Sequence, residues 1–183
     1  MHCIEQPFPI SKLWVNRNSI EESPEYQRES AVWSQDKQQL FIDSILNKFD
    51  VPKLYFHDTR NENNLTDYAV VDGKQRLHAI YSFLTDKLPL SDDFSVLEPR
   101  TGQATPSKGA RFSDLSEYWK EEFKGTSLTV VLIQNANDED IEELFSRLNN
   151  GEPLNAAEKR NAKSGEMCKL IREISKDDFF DRN

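Results

Sequence analysis

The chain has 183 residues, a net charge of −9 and 30% charged residues, with 11 Phe, 5 Tyr and 3 Trp. That length buries a full core without disulfide or metal staples, and that aromatic content excludes a disordered segment. The acidic balance excludes a uniformly basic nucleic-acid binder, yet it leaves room for a local basic pocket.

In chain order, the first residues, MHCIEQPFPI, hold neither a positively charged leader nor a long apolar core. Residues 10–20 carry a weak apolar pattern, followed by the polar run EESPEYQRES. Ser34 is the expected N-cap of the first clear helix, with Leu40, Phe41, Ile45 and Phe49 on its apolar face and Val51-Pro52 ending it. Lys53–His57 reads as a short strand, Asp58–Asp67 as a polar loop and Tyr68–Val71 as the next strand. After Asp72-Gly73 the period changes: Leu77, Ile80, Tyr81 and Leu84 are spaced for a helix, so the unit is strand, tight turn, helix. Residues 86–111, rich in Pro and Gly, read as a surface excursion or flap carrying the basic residues Lys87, Arg100, Lys108 and Arg111.

Ser113 is the expected cap of a short helix with Leu115, Tyr118 and Trp119 inward and Gly125 at its stop. Ser127–Gln134, SLTVVLIQ, is the strongest strand and predicts burial on both faces. Asn137 then caps a helix opening Asp138-Glu139-Asp140, with Ile141, Leu144, Phe145 and Leu148 as its inner stripe. Asn155 with Glu158 resembles a capping box for a last segment whose face is Met167, Leu170, Ile171 and Ile174. The end, DDFFDRN, reads as a cut within a longer chain, with residues 163–183 starting a helical extension or further domain of an otherwise single-domain chain. The order of elements predicts an α+β class, a small mixed sheet with helices around it.

Two cysteines, Cys3 and Cys168, make neither a disulfide framework nor a cysteine-based zinc site. No run approaches the about 18 apolar residues of a membrane span. A soluble, cytoplasmic protein with reduced thiols and no membrane partner is expected.

Three segments bear on chemistry. In Asp72-Gly-Lys-Gln-Arg76, two cations open a helix, where each opposes the dipole by about 0.3–1 kcal/mol; a bound anion reverses that sign. Gly73 admits a ligand to the backbone, and Asp72 suits a metal ion or a water. Tyr26-Gln27-Arg28, with Trp33 behind, reads either as phosphate and base recognition or, taken alone, as an Arg bridging to an acid with Trp33 in the core. Arg147 stands on an acidic helix ahead of Asn149, placed for a shared site or for an ion pair with a neighbouring carboxylate. His2, His57 and His78 are isolated, so no metal cluster follows from spacing.

The combination YQR…W, an apolar strand ending in DGKQRL, then FSRLNNGEPLNAAEKRNA, closely resembles the N-terminal domain of GmrSD-type modification-dependent restriction enzymes, over about residues 10–162. That family's motif is DGQQR; Lys74 stands for its first Gln, and YQRESAVW lacks its Pro and aromatic residue. The resemblance implies a ParB/sulfiredoxin-like fold and a phage-defence module that binds and hydrolyses a nucleoside triphosphate with Mg²⁺. It also implies sensing of DNA, modified or not, and work with a separate nuclease domain or subunit. In that reading Asp72, Gln75 and Arg76 are catalytic, with Asp72 also meeting the metal. Gly73, Lys74, Arg76, Gln27, Arg28, Arg147 and Asn149 contact nucleotide phosphates, and Tyr26, Gln27 and Arg28 contact DNA. Two alternatives stand beside it: a module that binds nucleotide or modified DNA without turnover, and a metal nuclease built on Asp72-x-Lys74 with Asp58 as partner acid.

Overall fold

A computed structural model describes residues 1–22, 32–60, 67–94 and 109–149 of the chain. These belong to two compact units, residues 2–135 and a second made of residue 1 with residues 136–183. In the first unit the strands are β1 (His2–Pro9), β2 (Ile20–Glu21), β3 (Leu54–Asp58), β4 (Tyr68–Asp72) and β5 (Ser127–Gln134), arranged β1-β5-β3-β4-β2. β5 pairs antiparallel with β1 and parallel with β3, while β4 pairs antiparallel with β3 and parallel with β2. With the helices α1 (Ile10–Val15), α2 (Gln35–Leu46), α3 (Lys74–Leu84) and α4 (Glu117–Gly125), this is the mixed α+β architecture that the order of elements predicts.

β1 has no counterpart in the sequence reading, because HCIEQPFP shows neither alternation nor a β-branched run and holds two prolines. It forms by pairing along all of β5, from His2 opposite Gln134 to Pro9 opposite Ser127, and an edge strand tolerates proline. β5 is covered on both faces only from Val130 to Ile133; Ser127 and Thr129 are exposed.

Ser34 caps α2 as expected, its Oγ accepting from the Lys37 N–H at 3.3 Å. The inward set differs: Phe41, Ile42, Ile45 and Leu46 are buried, whereas Leu40 and Phe49 are 63% and 68% exposed. The helix also stops before Val51-Pro52. Lys48 takes a left-handed φ of 61°, and the Phe49 N–H turns back to the Ser44 carbonyl at 2.9 Å. Phe49 therefore lies beyond the helix and off its apolar face.

Both described ends of the 86–111 excursion belong to the core, which corrects the surface-flap expectation for them. Leu88, Leu90, Phe94 and Ala110 are buried, and the Leu90 N–H donates to the Ala110 carbonyl at 2.7 Å. Gln39 donates its Nε2 to the Pro89 carbonyl at 3.1 Å, and Arg111 donates to the Asp86 carbonyl. Residues 95–108, with Arg100 and Lys108, lie outside the described residues. Ser113 falls in a 3-10 turn, Phe112–Asp114, so α4 starts three residues later than Ser113 predicts, after Ser116. Trp119 and Phe123 are its buried residues, Leu115 is buried just ahead of it, and Tyr118 packs partly against the core.

The second unit contributes α5 (Asp138–Asn149). Asn137 Oδ1 accepts from the Asp140 N–H at 2.8 Å, and Asp140 Oδ2 accepts from the Asn137 N–H at 3.3 Å, a reciprocal cap. Ile141 is buried and Leu144, Phe145 and Leu148 are half-buried, the stripe that the spacing predicts. The expected final segment from Asn155, with its Met167–Ile174 face, and the extension at 163–183 lie outside the described residues.

Candidate functional site

The turn between β4 and α3 demands a glycine twice over. Gly73 has φ of 108°, and a Cβ built on it would stand 2.3 Å from Leu54 Cδ2. Such a turn brings the end of a buried strand, Tyr68–Val71, directly into the first turn of α3. Among the described residues no side chain caps α3, and no acidic residue stands in its first turn. Lys74, Gln75 and Arg76 occupy that turn instead.

Arg76 folds back across the turn. Its Nη2 donates to Asp72 Oδ2 at 2.7 Å and to the Lys53 carbonyl at 3.3 Å. The Arg76 side chain is only 11% exposed and that of Asp72 31%. Arg76 Nε is buried and has no partner among the described residues. The guanidinium is thus fixed in place with a donor unused, at a helix terminus that already favours anions.

Gln75 is committed elsewhere. Its Oε1 accepts from the Trp33 N–H at 3.2 Å. The Trp33 carbonyl accepts from Gln38 Nε2 at 3.0 Å, its ring meets Phe41 edge-on at 5.6 Å, and Lys37 Nζ lies 4.9 Å from the ring centre. Burial pushes the carboxyl of Glu22, just past β2, above the usual carboxylate range, against the opposing charges of His78 and Lys74. Tyr26, Gln27 and Arg28, the expected DNA- and phosphate-contacting residues, lie outside the described residues.

Arg147 belongs to α5 in the second unit, where its Nε donates to Glu143 Oε1 at 2.7 Å along the same helix; Asn149 is the last residue of α5. That is the ion-pair arrangement open to Arg147 from the sequence. The nuclease alternative needs Asp58 beside Asp72, and the hairpin separates them. Asp58 stands opposite Tyr68 while Asp72 stands opposite Tyr55, so the two acids end at opposite edges of the β3–β4 pair, and Lys74 lies on a helix instead of a strand.

Among the described residues no group of three or more His, Cys, Asp or Glu is placed to hold a metal ion. Asp72 offers a single carboxylate that already accepts from Arg76. The donor set does not fit a resident metal centre; a divalent cation at this turn would arrive with the phosphates that it neutralises. Sequence reasoning missed Glu22, which sits in an acidic run with no periodicity, and became visible only when β2 paired with β4.

The sequence model of one family, described as GmrSD restriction endonuclease, N-terminal domain, matches residues 10–164. That span takes in the YQR segment, the DGKQR turn and the FSRLNN segment. No curated protein and no solved structure matches the chain.

Proposed function

The chain belongs to the family of GmrSD restriction endonuclease N-terminal domains, and from that premise we propose that it is the nucleotide-binding, nucleoside-triphosphate-hydrolysing and DNA-sensing module of a restriction system. One observation carries the nucleotide part. Arg76 is held by Asp72, with its buried Nε unpartnered among the described residues, in the first turn of a helix that has no acidic residue in that turn. Bound phosphate turns the unfavourable placement of Lys74 and Arg76 into a favourable one and takes up the backbone N–H groups of the turn. Gly73 keeps the approach open. Gln75 is tied to the Trp33 backbone, and Tyr26, Gln27 and Arg28 are the residues proposed to contact DNA. The nucleotide enters as its Mg²⁺ complex, and a partner domain or subunit cuts the DNA.

The test is thermal unfolding with ATP, GTP or CTP and Mg²⁺. At a hundredfold excess over Kd the bound state gains about 2.7 kcal/mol. A rise in Tm that Arg76→Ala abolishes supports the reading, and no rise at millimolar nucleotide overturns it. A second reading, binding without turnover, is favoured by the engagement of Asp72 with Arg76, which occupies the carboxylate nearest the turn. Phosphate release by the purified protein separates the two.

A further inference from the structure

Acidic residues are unevenly spread along this chain. There are 32 among 183, about one in six, yet residues 6–20 and 73–85 hold none. The first stretch contains α1 and the 3-10 turn Arg17–Ser19, and the second contains α3. We propose that the two stretches form one contact surface for the backbone of duplex DNA, on which Arg17 and Lys74 each take a phosphate. This rests on the DNA-sensing reading and gives it a surface separate from Tyr26, Gln27 and Arg28.

The fold joins the two stretches through Tyr81. Its hydroxyl donates to the Leu13 carbonyl at 3.2 Å, and its ring meets that of Trp14 at 5.8 Å. Arg17 lies over the Trp14 ring, 4.2 Å from its centre, and donates Nη1 to the Trp14 carbonyl at 2.8 Å. Both contacts hold the guanidinium without neutralising it. Arg17 is exposed and belongs to no ion pair among the described residues, unlike Lys48, Lys53 and Arg60. A cation held in this way loses little freedom on meeting a phosphate, which strengthens the contact.

α3 continues the surface. With about 3.6 residues per turn, Lys74, His78 and Tyr81 share one side of the helix. Arg76 stands about 160° round from Lys74 and turns to Asp72 and the Lys53 carbonyl instead. Lys74 and Tyr81 are separated by roughly 10 Å along the helix, about three base-pair rises of duplex DNA. That separation lets Lys74 at one end and Arg17, beside Tyr81 and Trp14, at the other meet different phosphates of one duplex.

The surroundings favour a nucleic acid over a protein partner. Ser11, Asn18 and His78 are exposed on these stretches and offer donors to phosphate and sugar oxygens. Val15, 72% exposed, is the one large apolar side chain exposed there, whereas the centre of a protein interface is apolar and aromatic. Glu21 and Glu22 follow next along the chain, and the charge of Glu22 acts against those of His78 and Lys74. The attraction is therefore local, in keeping with weak binding by a chain of net charge −9.

The experiment titrates a fluorescently labelled DNA duplex with the protein and its variants over a range of NaCl concentrations, following anisotropy. Arg17→Ala and Lys74→Ala are each expected to weaken binding about five- to tenfold at about 0.1 M salt and to reduce the log–log salt slope by about one. Arg17→Lys should keep most of the affinity. Lys124→Ala, which removes the same charge from an ion pair with Glu121 on α4, should change binding by less than about twofold. The thermal shift of Arg17→Ala with ATP and Mg²⁺ should match that of the unmodified protein. Losses no larger than that of Lys124→Ala overturn the surface and leave DNA sensing to other residues. So does a loss in Arg17→Lys as large as in Arg17→Ala, or loss of the nucleotide shift in Arg17→Ala. Displacement of the duplex by polyglutamate as readily as by unlabelled duplex overturns it in favour of an acidic protein partner. Failure of the unmodified protein to bind any duplex, modified or not, sinks the DNA-sensing reading as well. Should Arg17→Ala fold poorly, Lys74→Ala decides by the same comparison with Lys124→Ala.

Discussion

Asp58 and Asp72 end neighbouring strands, yet their surroundings assign them different work. Asp58 is closed in: it accepts from Arg60 Nε at 2.8 Å and Nη2 at 2.6 Å, and from Gln134 Nε2 at 2.9 Å. Arg60, above all, holds its carboxyl down to about 2. A depressed folded-state value stabilises the fold above the unfolded value near 4, and that stability drains away as pH falls toward 2. Asp58→Asn should therefore cost about 1–2 kcal/mol at pH 7, the exposure of Arg60 moderating the loss, and should flatten the acid side of a stability–pH curve from urea unfolding. Asp72, by contrast, has one side-chain partner among the described residues, Arg76, and lies at the mouth of a helix. The Asp72–Arg76 pair was not read from the sequence, which assigned Asp72 to a metal ion or a water and Arg76 to phosphate, although both residues lie in one five-residue motif. The Gln75–Trp33 bond spans 42 residues and was not read either.

Among the elements, the 86–94 stretch shows best how an apolar pattern hides. Leu88, Leu90 and Phe94 are spaced for neither helix nor strand, so Pro89 and the nearby polar run dominate the reading. Their burial comes from irregular chain packed into the core and stitched by the Leu90–Ala110, Gln39–Pro89 and Arg111–Asp86 hydrogen bonds. Leu90→Ala is accordingly expected to lower stability by about 2–5 kcal/mol in urea unfolding, while exposed Lys87→Ala stays within about 0.5 kcal/mol. Equal, small effects would restore the surface-insertion reading. In α2 the error lay in phase: a stripe drawn through Leu40 and Phe49 misses the face that packs, because helix length and rotation depend on where the C-terminal turn closes.

For the molecule as a whole, a net charge of −9 opposes the approach of DNA. Duplex binding by this chain should be weak at physiological salt, with a log–log salt slope of only about −2 to −3, as for two or three phosphate contacts. Fluorescence anisotropy against NaCl concentration measures it, and tight binding of unmodified duplex would contradict it. No helix among the described residues is long and apolar enough to cross a membrane, in line with the composition. What the sequence determined alone was local. Caps and periodicity marked α3, α5 and β5, and the Asp-Gly break followed by a helical period marked the strand–turn–helix at Gly73, because each depends on contacts within a few residues. Only the tertiary structure decided the rest. β1 and β2 exist through their partners' free edges. Trp33 reaches Gln75 through chain closure, which no short window of sequence encodes, since its free energy comes from surfaces that meet only when the sheet has formed.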